Sequence, residues 1–512
     1  MDVGTIVADA CSRYADRVAL EDDTRSVTFG ELGDRVARLA GALRTLGLRP
    51  GDAVLDLQTN AASYVETDMA LARAGLVRVA LNYRLLPEDW SRIAADCGAR
   101  AILYRASFAE QAASLVDAMD VAVAIDGDAP GHPYEALIAD GEPLPPAEGV
   151  DLDTLVSLNY SSGTTGKPKG ARRTHRNRIA SMRNIRSDIT GDPAPDDAWV
   201  HAGPITHASG LFVLPHHAMG VRQIILPAVE PAAVVEAVAE RGGTGTVLVP
   251  TMVARMVAHE GISPEALRGL RRLCYAGAPT PPDQIRRAAE VLTPNLVQFY
   301  GLVEAIPPVT VLGVADHARG FADRPDLLTS AGRACAAVEL AVVDDEGHPV
   351  ATGELGEIAT RGDHVMQGYF GSAGADVTKH VVDGWLRTGD IGRLDAEGFL
   401  FLADRRGDMI ITGGYNVYPS EVENVLAALP GVAEVAVVGV ADAEWGQRIV
   451  AVYSGDAAAD ALGAACRERL PGYKKPKDFV RVARFPHSST GKIAKGVLRE
   501  RLEAGADPGE PA

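Results

Sequence analysis

The 512-residue sequence is short of several things, and each shortage removes a class of protein. It has five cysteines, Cys11, Cys97, Cys274, Cys335 and Cys466. They are scattered, odd in number and without metal-ligand spacing, so reduced thiols are expected rather than a disulfide framework or a cysteine-bound metal. No apolar run approaches the ~18 residues that a membrane-spanning helix requires. The N-terminus carries Asp2 and Asp9 and lacks a basic stretch followed by an apolar one. No secretory signal is therefore expected, and the expected location is cytoplasmic. Positive charge is in deficit, with 50 Lys and Arg against 68 Asp and Glu and a formal net charge of −18. That balance argues against nucleic acid or an anionic membrane as a main partner. It does not argue against a nucleotide, whose binding a few local lysines decide.

The composition that remains, 47% hydrophobic and 23% charged, is that of an ordinary globular protein. The length is too great for one compact core and implies two to four domains or subdomains. The N-terminal half alternates in a βα manner: strand 53–57, helix 61–74, strand 76–81, helix 87–97, strand 100–104. Further strands are read at 245–249, 273–276 and 296–300, each running into a Gly- or Pro-bearing loop. Such alternation implies α/β layers with largely parallel sheets, whose ligands sit at the carboxyl ends of strands. From about residue 332 the texture becomes β-rich, with strands at 338–343 and 355–360. A smaller α+β unit follows Asp408. A capping box of Ser420 and Glu423 opens a helix to Leu429. Strands 433–440, 449–453 and 479–485, a helix at 458–470 and a last helix from about Ile493 complete it. The tail Gly505–Ala512 reads as disordered.

One run carries the most chemistry: Tyr160-Ser-Ser-Gly-Thr-Thr-Gly-Lys-Pro-Lys-Gly170. It follows an apolar stretch, Leu155–Leu158, and precedes Thr174, a plausible N-cap. Its glycines allow tight turns that expose backbone N–H groups. The hydroxyls of Ser161, Ser162, Thr164 and Thr165 and the charges of Lys167 and Lys169 suit a polyphosphate. It is not a Walker A sequence, because Pro168 follows Lys167 and Ser161 stands where the first glycine belongs.

Further motifs follow in order: Tyr275-Ala-Gly-Ala-Pro279, Gln298-Phe-Tyr-Gly-Leu-Val-Glu304, Gly353-Glu-Leu-Gly-Glu-Ile358 and Asp383-Gly-Trp-Leu-Arg-Thr-Gly-Asp390. Asp404-Arg-Arg-Gly-Asp408, running on to Pro419, and Ser489-Thr-Gly-Lys-Ile493 close the series. Together they resemble the adenylate-forming superfamily, and most closely its acyl- and aryl-CoA synthetases. The resemblance covers nearly the whole chain. It implies an α/β fold with a large N-terminal domain of layered α/β subdomains plus a β-rich subdomain. A small mobile α+β C-terminal domain would follow. Residues 1–403 would form the first domain, 404–408 a hinge centred on Gly407, and 409–512 the second.

The activity implied is that of a ligase using ATP, Mg²⁺ and coenzyme A. A carboxylate attacks the α-phosphate of ATP and expels pyrophosphate; a thiol then takes the acyl group from the adenylate, and AMP leaves. By resemblance, Ser161, Ser162, Gly163, Thr164, Thr165, Gly166, Lys167 and Lys169 close over the phosphates. Gly277, Ala278 and Pro279 wall the adenine slot with Gln298, Phe299, Tyr300 and Gly301, and Tyr300 stacks on the base. Asp390 accepts from the ribose hydroxyls with help from Arg405, and Glu304 takes part in binding Mg²⁺. Lys492 bridges the carboxylate and α-phosphate oxygens. Gly413, Gly414, Tyr473 and Lys474 face coenzyme A, with Lys475 and Lys477 nearby.

His207 matches the family's aromatic gate beside the carboxylate. Phe212, Val249, Met252, Ala276, Gly301 and Val303 flank the acyl pocket. They are apolar and mostly small, and no Asp stands where amino-acid-activating relatives hold the substrate amine. An apolar or aromatic acid, with room for bulk, is expected. One departure stands out: Val303 replaces the threonine of the family's Tyr-Gly-x-Thr-Glu motif, losing a hydroxyl that serves the α-phosphate. The alternative is then an enzyme that only transfers a preformed acyl-adenylate, made by a separate adenylating partner, to coenzyme A. Another is delivery to a carrier protein's thiol. A homodimer also remains open.

Overall fold

The computed structural model describes residues 1–161, 169–371, 381–405, 408–413, 415–442, 444–487 and 493–510, without the side chains of Ser161, Asp404, Arg405 and Asn416. The first βα series forms as expected: strand Ala53–Leu57, helix Ala62–Arg73, strand Val77–Ala80, helix Pro87–Cys97, strand Ala101–Tyr104. The helix Pro87–Cys97 illustrates why. Proline at its first position fits the helical φ, and Gly98 at φ +60° ends it. Trp90, Ile93, Ala94 and Cys97 recur on one face and are buried.

By contact, the chain forms two compact units: Met1–Leu340 with Thr360–Leu386, and Ala341–Ala359 with Arg387–Ala512. The chain passes between them within the strands Glu339–Val343, Gly356–Arg361 and Trp385–Leu394.

In the first unit, a nine-stranded sheet has the order Arg333–Ala334, Ala305–Leu312, Leu296–Leu302, Arg272–Ala276, Gly245–Leu248, Ala198–His201, Arg222–Ile225, Val18–Glu21, Ser26–Thr28. From Leu296–Leu302 to Val18–Glu21 every neighbour is parallel, so their carboxyl ends share one edge. A second, seven-stranded sheet places Leu155–Ser161 between Val77–Ala80 and Lys169–Thr174, the last antiparallel. The strands flanking the phosphate-loop motif are thus a directly paired hairpin.

Thr174 caps the following helix, His175–Asn184, as expected. The Asn177 amide donates to Thr174 Oγ1 at 3.3 Å, and Asn177 Oδ1 accepts from the Thr174 amide at 2.9 Å. A buried charge network anchors that helix: Arg178 donates to Asp68 at 2.6 Å, and Arg78 pairs with both Asp68 (3.1 Å) and Asp56. Buried ion pairs resist the loss of either partner, because the survivor is left uncompensated. All five cysteines are free and buried.

In the second unit, a sheet orders Tyr415–Val417, Ile410–Thr412, Gly446–Gly455 and Val432–Asp442, with Asp478–Arg481 parallel to Gly446–Gly455. The capping box expected at Ser420 is absent. The helix Pro419–Ala427 starts two residues earlier, with Tyr418 in the cap position, Pro419 at its first position and no side-chain cap. The Ser420 hydroxyl donates instead to the Ala403 carbonyl. Glu423 accepts from the Val437 amide at 2.7 Å and pairs with Lys495 at 2.7 Å. Tertiary partners outbid the local cap. The strand read at 479–485 is shorter, Asp478–Arg481. The tail is also ordered as far as residue 510. Arg501 donates to the Pro508 and Gly509 carbonyls at 3.2 and 2.7 Å, and the Glu510 amide donates to the Arg484 carbonyl at 3.0 Å. Among the described residues, no helix is long and apolar enough to cross a membrane.

Candidate active site

Parallel strands that end together bring loops together, and in the first unit this collects most of the motif residues. The strands Ala198–His201, Gly245–Leu248, Arg272–Ala276 and Leu296–Leu302 are consecutive neighbours. Beyond their carboxyl ends come His207, Val249 with Met252, Gly277–Pro279, and Val303 with Glu304, while Tyr300 and Gly301 stand among the last residues of the strand Leu296–Leu302 itself. Tyr275 lies opposite Gln298 and Ala276 opposite Phe299 in register. Gly277 takes φ +98°, and Gly277, Ala278 and Pro279 are exposed. A Cβ on Gly301 would lie 2.8 Å from Pro307, so the site admits no side chain there.

His207 precedes the short helical turn Ala208–Phe212. Its side chain is exposed, yet its pKa is lowered: packed protein around the ring desolvates the imidazolium, and Arg84 repels it. Phe212 has no solvent exposure and stacks on Trp199 at 4.4 Å, with Phe299 5.9 Å away. Ala276 is buried, Met252 and Val303 are half-buried, and Val249 lies at the surface.

Val303 and Glu304 form the two-residue turn between the strands Leu296–Leu302 and Ala305–Leu312, whose last pair is Leu302 with Ala305. The motif's acidic residue therefore stands at a hairpin tip. The Tyr369 hydroxyl donates to Glu304 Oε1 at 2.6 Å, and Arg173 Nη2 donates to the Val303 carbonyl at 3.1 Å. Burial lowers the Arg173 pKa to about 10, with Arg178 adding to the drop and Glu304 opposing it. Lys169 Nζ lies 5.4 Å from the Tyr369 ring centroid. Gly170 packs under Tyr160, where a Cβ would come 2.7 Å from the ring. Tyr160 in turn donates to Asp96 at 2.6 Å.

In the second unit, Asp390 is buried and stands opposite Arg405 in the pairing of Trp385–Leu394 with Leu400–Arg405. Its turn is braced: Gly389, at φ +76°, donates its amide to Glu357 at 3.0 Å, and Thr388 donates to the Ile358 carbonyl at 2.9 Å. Gly413 takes φ +56° and donates its amide to the Trp445 carbonyl at 2.8 Å. Tyr473 stacks on Tyr415 at 4.8 Å, and both are exposed. Lys474 pairs with Glu421 at 2.5 Å, and Lys477 Nζ lies 4.4 Å from the Trp445 ring centroid. Exposed aromatic faces and lysines thus share one patch with Gly413.

Ser162, Gly163, Thr164, Thr165, Gly166, Lys167, Gly407, Gly414 and Lys492 lie outside the described residues, and Ser161 and Arg405 are placed by backbone alone. Four side chains in these clusters escaped the sequence reading: Arg173, Tyr369, Tyr415 and Trp445. Tyr415 stood inside a quoted motif, and Trp445 is one of only four tryptophans. Arg173 and Tyr369 carried no such signal; only the segment 363–370, bridged to the strand Lys169–Thr174 on one side and to the Glu304 hairpin on the other, brings them together there.

Residues 7–370 match the AMP-binding enzyme family, and residues 421–492 match the AMP-binding enzyme C-terminal domain. A feruloyl-CoA synthase of an Amycolatopsis species is 39% identical over 489 residues, covering 93% of this chain and 94% of its own. An indoleacetate–CoA ligase of Aromatoleum aromaticum is 33% identical, covering 94% of this chain and 95% of its own. Among solved structures, an o-succinylbenzoate coenzyme A synthetase from Bacillus subtilis in complex with ATP and a magnesium ion superposes with a TM-score of 0.83. It is 29% identical and covers 96% of this chain and 98% of its own. These relatives are named for joining an acid to coenzyme A, and none supports an enzyme confined to the second half-reaction. Strand-end loops, a carboxylate at a hairpin tip and a separate aromatic and basic patch therefore agree with the sequence matches: the chain belongs to the AMP-binding enzyme family, as an acyl- or aryl-CoA ligase that forms an acyl-adenylate from ATP and passes the acyl group to coenzyme A.

Proposed function

We propose that the acid activated is apolar or aromatic, with room for a bulky ring. The observation that carries this is the set of residues at the shared strand-end edge. Val249, Met252, Ala276, Gly301 and Val303 bring no charge there, and Gly301 is pressed against Pro307. An aliphatic or aryl body loses nothing by entering such a site, whereas a second charged group on the acid would be desolvated without a partner. The feruloyl and indoleacetate names of the relatives support an aromatic acid.

In the reaction, an oxygen of the acid's carboxylate bonds to the α-phosphorus of ATP, and the bond to pyrophosphate breaks. The thiol of coenzyme A then adds to the acyl carbon, AMP departs with the electron pair, and the thiol proton passes to solvent. His207, kept neutral by its surroundings, borders the acid's carboxylate without adding a second cation. Lys492 balances the charge that develops between carboxylate and α-phosphate, worth about 3–4 kcal/mol in a preorganised site. Ser161, Ser162, Gly163, Thr164, Thr165, Gly166, Lys167 and Lys169 hold the phosphates. Tyr300 and Gly277–Pro279 take the adenine, while Asp390 and Arg405 take the ribose.

Glu304 suits Mg²⁺: a hard carboxylate oxygen is the donor this ion prefers, and one or two such ligands suffice when phosphate oxygens supply the rest. Bound there, the ion would neutralise phosphate charge. A swing about residues 404–408, centred on Gly407, would exchange Lys492 for the thiol-facing patch of Gly413, Gly414, Tyr473 and Lys474. Trp445 and Lys477 extend that patch and offer a stacking face and positive charge to the nucleotide end of coenzyme A.

The test is the yield of AMP, pyrophosphate and thioester with ATP, Mg²⁺ and a panel of aliphatic, aryl and polycyclic acids, with and without coenzyme A. One aryl or bulky apolar class giving AMP and acyl-CoA in equal amounts is expected. Turnover confined to acids bearing a second charge would refute the proposed substrate class. Adenylate formed without transfer to coenzyme A would point to a carrier-protein thiol.

A further inference from the structure

Glu304 is one of the few charged side chains at the strand-end edge, and the way it is held goes beyond the family motif. The Tyr369 hydroxyl donates to its Oε1 at 2.6 Å. No other hydrogen bond to the Glu304 carboxylate comes from the described residues, so Oε2 faces its surroundings without a described donor. A carboxylate gripped at one oxygen has its plane and rotamer fixed, while the other oxygen keeps its lone pairs for an incoming cation.

Tyr369 is itself rigidly set. Residues 363–370 run as a strap between the two elements that flank the nucleotide motifs. On one side, the Arg172 amide donates to the Gly368 carbonyl (2.8 Å), Gln367 to Arg172 (3.2 Å) and Phe370 to Gly170 (2.8 Å). On the other, the Met366 amide donates to the Glu304 carbonyl (2.9 Å) and Ile306 to His364 (2.9 Å). Asn177 Nδ2 donates to the Asp363 and Val365 carbonyls, each at 2.8 Å. The strap therefore ties strand Lys169–Thr174 to the Glu304 turn, and Tyr369 is its one side chain shown reaching both: hydroxyl to Glu304, ring face to Lys169 Nζ at 5.4 Å.

We propose that Tyr369 is a positioning residue for the adenylation step: its hydroxyl orients the Glu304 carboxylate so that Oε2 presents to the Mg²⁺ of bound MgATP, and its ring steadies Lys169 on the phosphate side. A tyrosine is suited to both, because its hydroxyl serves as donor to the carboxylate while its π face attracts an ammonium. Phenylalanine would keep the second contact and lose the first. The inference rests on the reading of Glu304 as the carboxylate that meets Mg²⁺.

The experiment is calorimetric titration of the full-length protein with ATP, with and without Mg²⁺, for the wild type, Tyr369→Phe, Glu304→Gln and the double variant. Melting temperature is recorded for each. For the wild type, Mg²⁺ should tighten ATP binding. Tyr369→Phe should cut that enhancement about tenfold, as expected for a hydrogen bond to a charged group. Its affinity for ATP without Mg²⁺ should stay unchanged. The double variant should match Glu304→Gln alone, because the hydroxyl acts only through the carboxylate. An intact Mg²⁺ enhancement in Tyr369→Phe, or additive losses in the double variant, would overturn the positioning role while leaving Glu304 in place. An intact enhancement in Glu304→Gln would instead overturn the reading of Glu304, and the role of Tyr369 with it. If Tyr369→Phe melts early, Tyr369→Trp, which keeps a ring and moves the donor, must also lose the enhancement; retention would overturn the proposal.

Discussion

Gly413 and Trp445 are matched to each other: the Gly413 amide donates to the Trp445 carbonyl at 2.8 Å, and a Cβ on Gly413 would lie 3.1 Å from the indole. With φ at +56°, the position also disfavours any side chain. Gly413→Ala is expected to displace the indole and strain the turn by about 1–2 kcal/mol. Thioester formation should fall about tenfold while pyrophosphate release stays near the wild-type rate. Assaying both products separates the two, and an equal loss of both would remove Gly413 from the thiol-facing surface.

Trp445→Ala tests the same surface from the other side. Lys477 sits over this ring at 4.4 Å, so both the stacking face and the placement of the lysine are lost together. The KM for coenzyme A should rise about tenfold, an aromatic stacking loss of about 1–2 kcal/mol, with the KM for ATP unchanged. Initial rates over a range of coenzyme A concentrations provide the measurement.

Val303 occupies the hairpin tip beside Glu304, and its carbonyl is already engaged by Arg173. Its side chain offers no hydroxyl to the nucleotide. Val303→Thr should raise pyrophosphate release about tenfold or more, since a hydrogen bond to a charged acceptor is worth about 1.5–3 kcal/mol. An unchanged rate would mean that the α-phosphate is held without that hydroxyl.

Asp68 holds Arg178 at 2.6 Å and Arg78 at 3.1 Å. Burial alone would raise its pKa, but the two guanidiniums hold it down to about 2. Asp68→Asn leaves buried cations short of a partner and should cost about 3–5 kcal/mol of stability. Thermal unfolding should show a large drop in Tm, and the preference among acids should not change.

Several histidines are buried and kept neutral. Burial lowers His201, His217, His317 and His364 to about 4, and His216 to about 3. In the unfolded chain each takes a proton near pH 6.5. Between those values the unfolded state binds more protons, so stability is full above about pH 6.5 and is lost as pH falls towards 4. Tm measured across that range should fall steeply. His217→Gln should flatten the slope by one proton, about 1–2 kcal/mol per pH unit; an unaltered slope would mean that His217 does not contribute.

The alternation of short apolar runs with amphipathic stretches was enough to read the βα layers, because period and punctuation are local properties. The helix Pro87–Cys97 and the strand Ala53–Leu57 fall where the sequence puts them. The Ser420 capping box failed for the opposite reason. Its hydroxyl and Glu423 found tertiary partners in Ala403 and Val437, and no local pattern announces those.

By itself, the sequence determined the family, the order of its motifs and the chemistry those motifs serve, because residue types at fixed spacing along one chain record them. Only the tertiary structure decided which carbonyls, rings and cations surround each motif. Tyr369 lies 65 residues from Glu304 and Arg173 lies 130 residues from Val303, yet each meets its partner within hydrogen-bond distance. The packing of two separate sheets, tied by the segment 363–370, sets those meetings, and it depends on the summed burial of whole sheets rather than on any segment a reader can inspect alone.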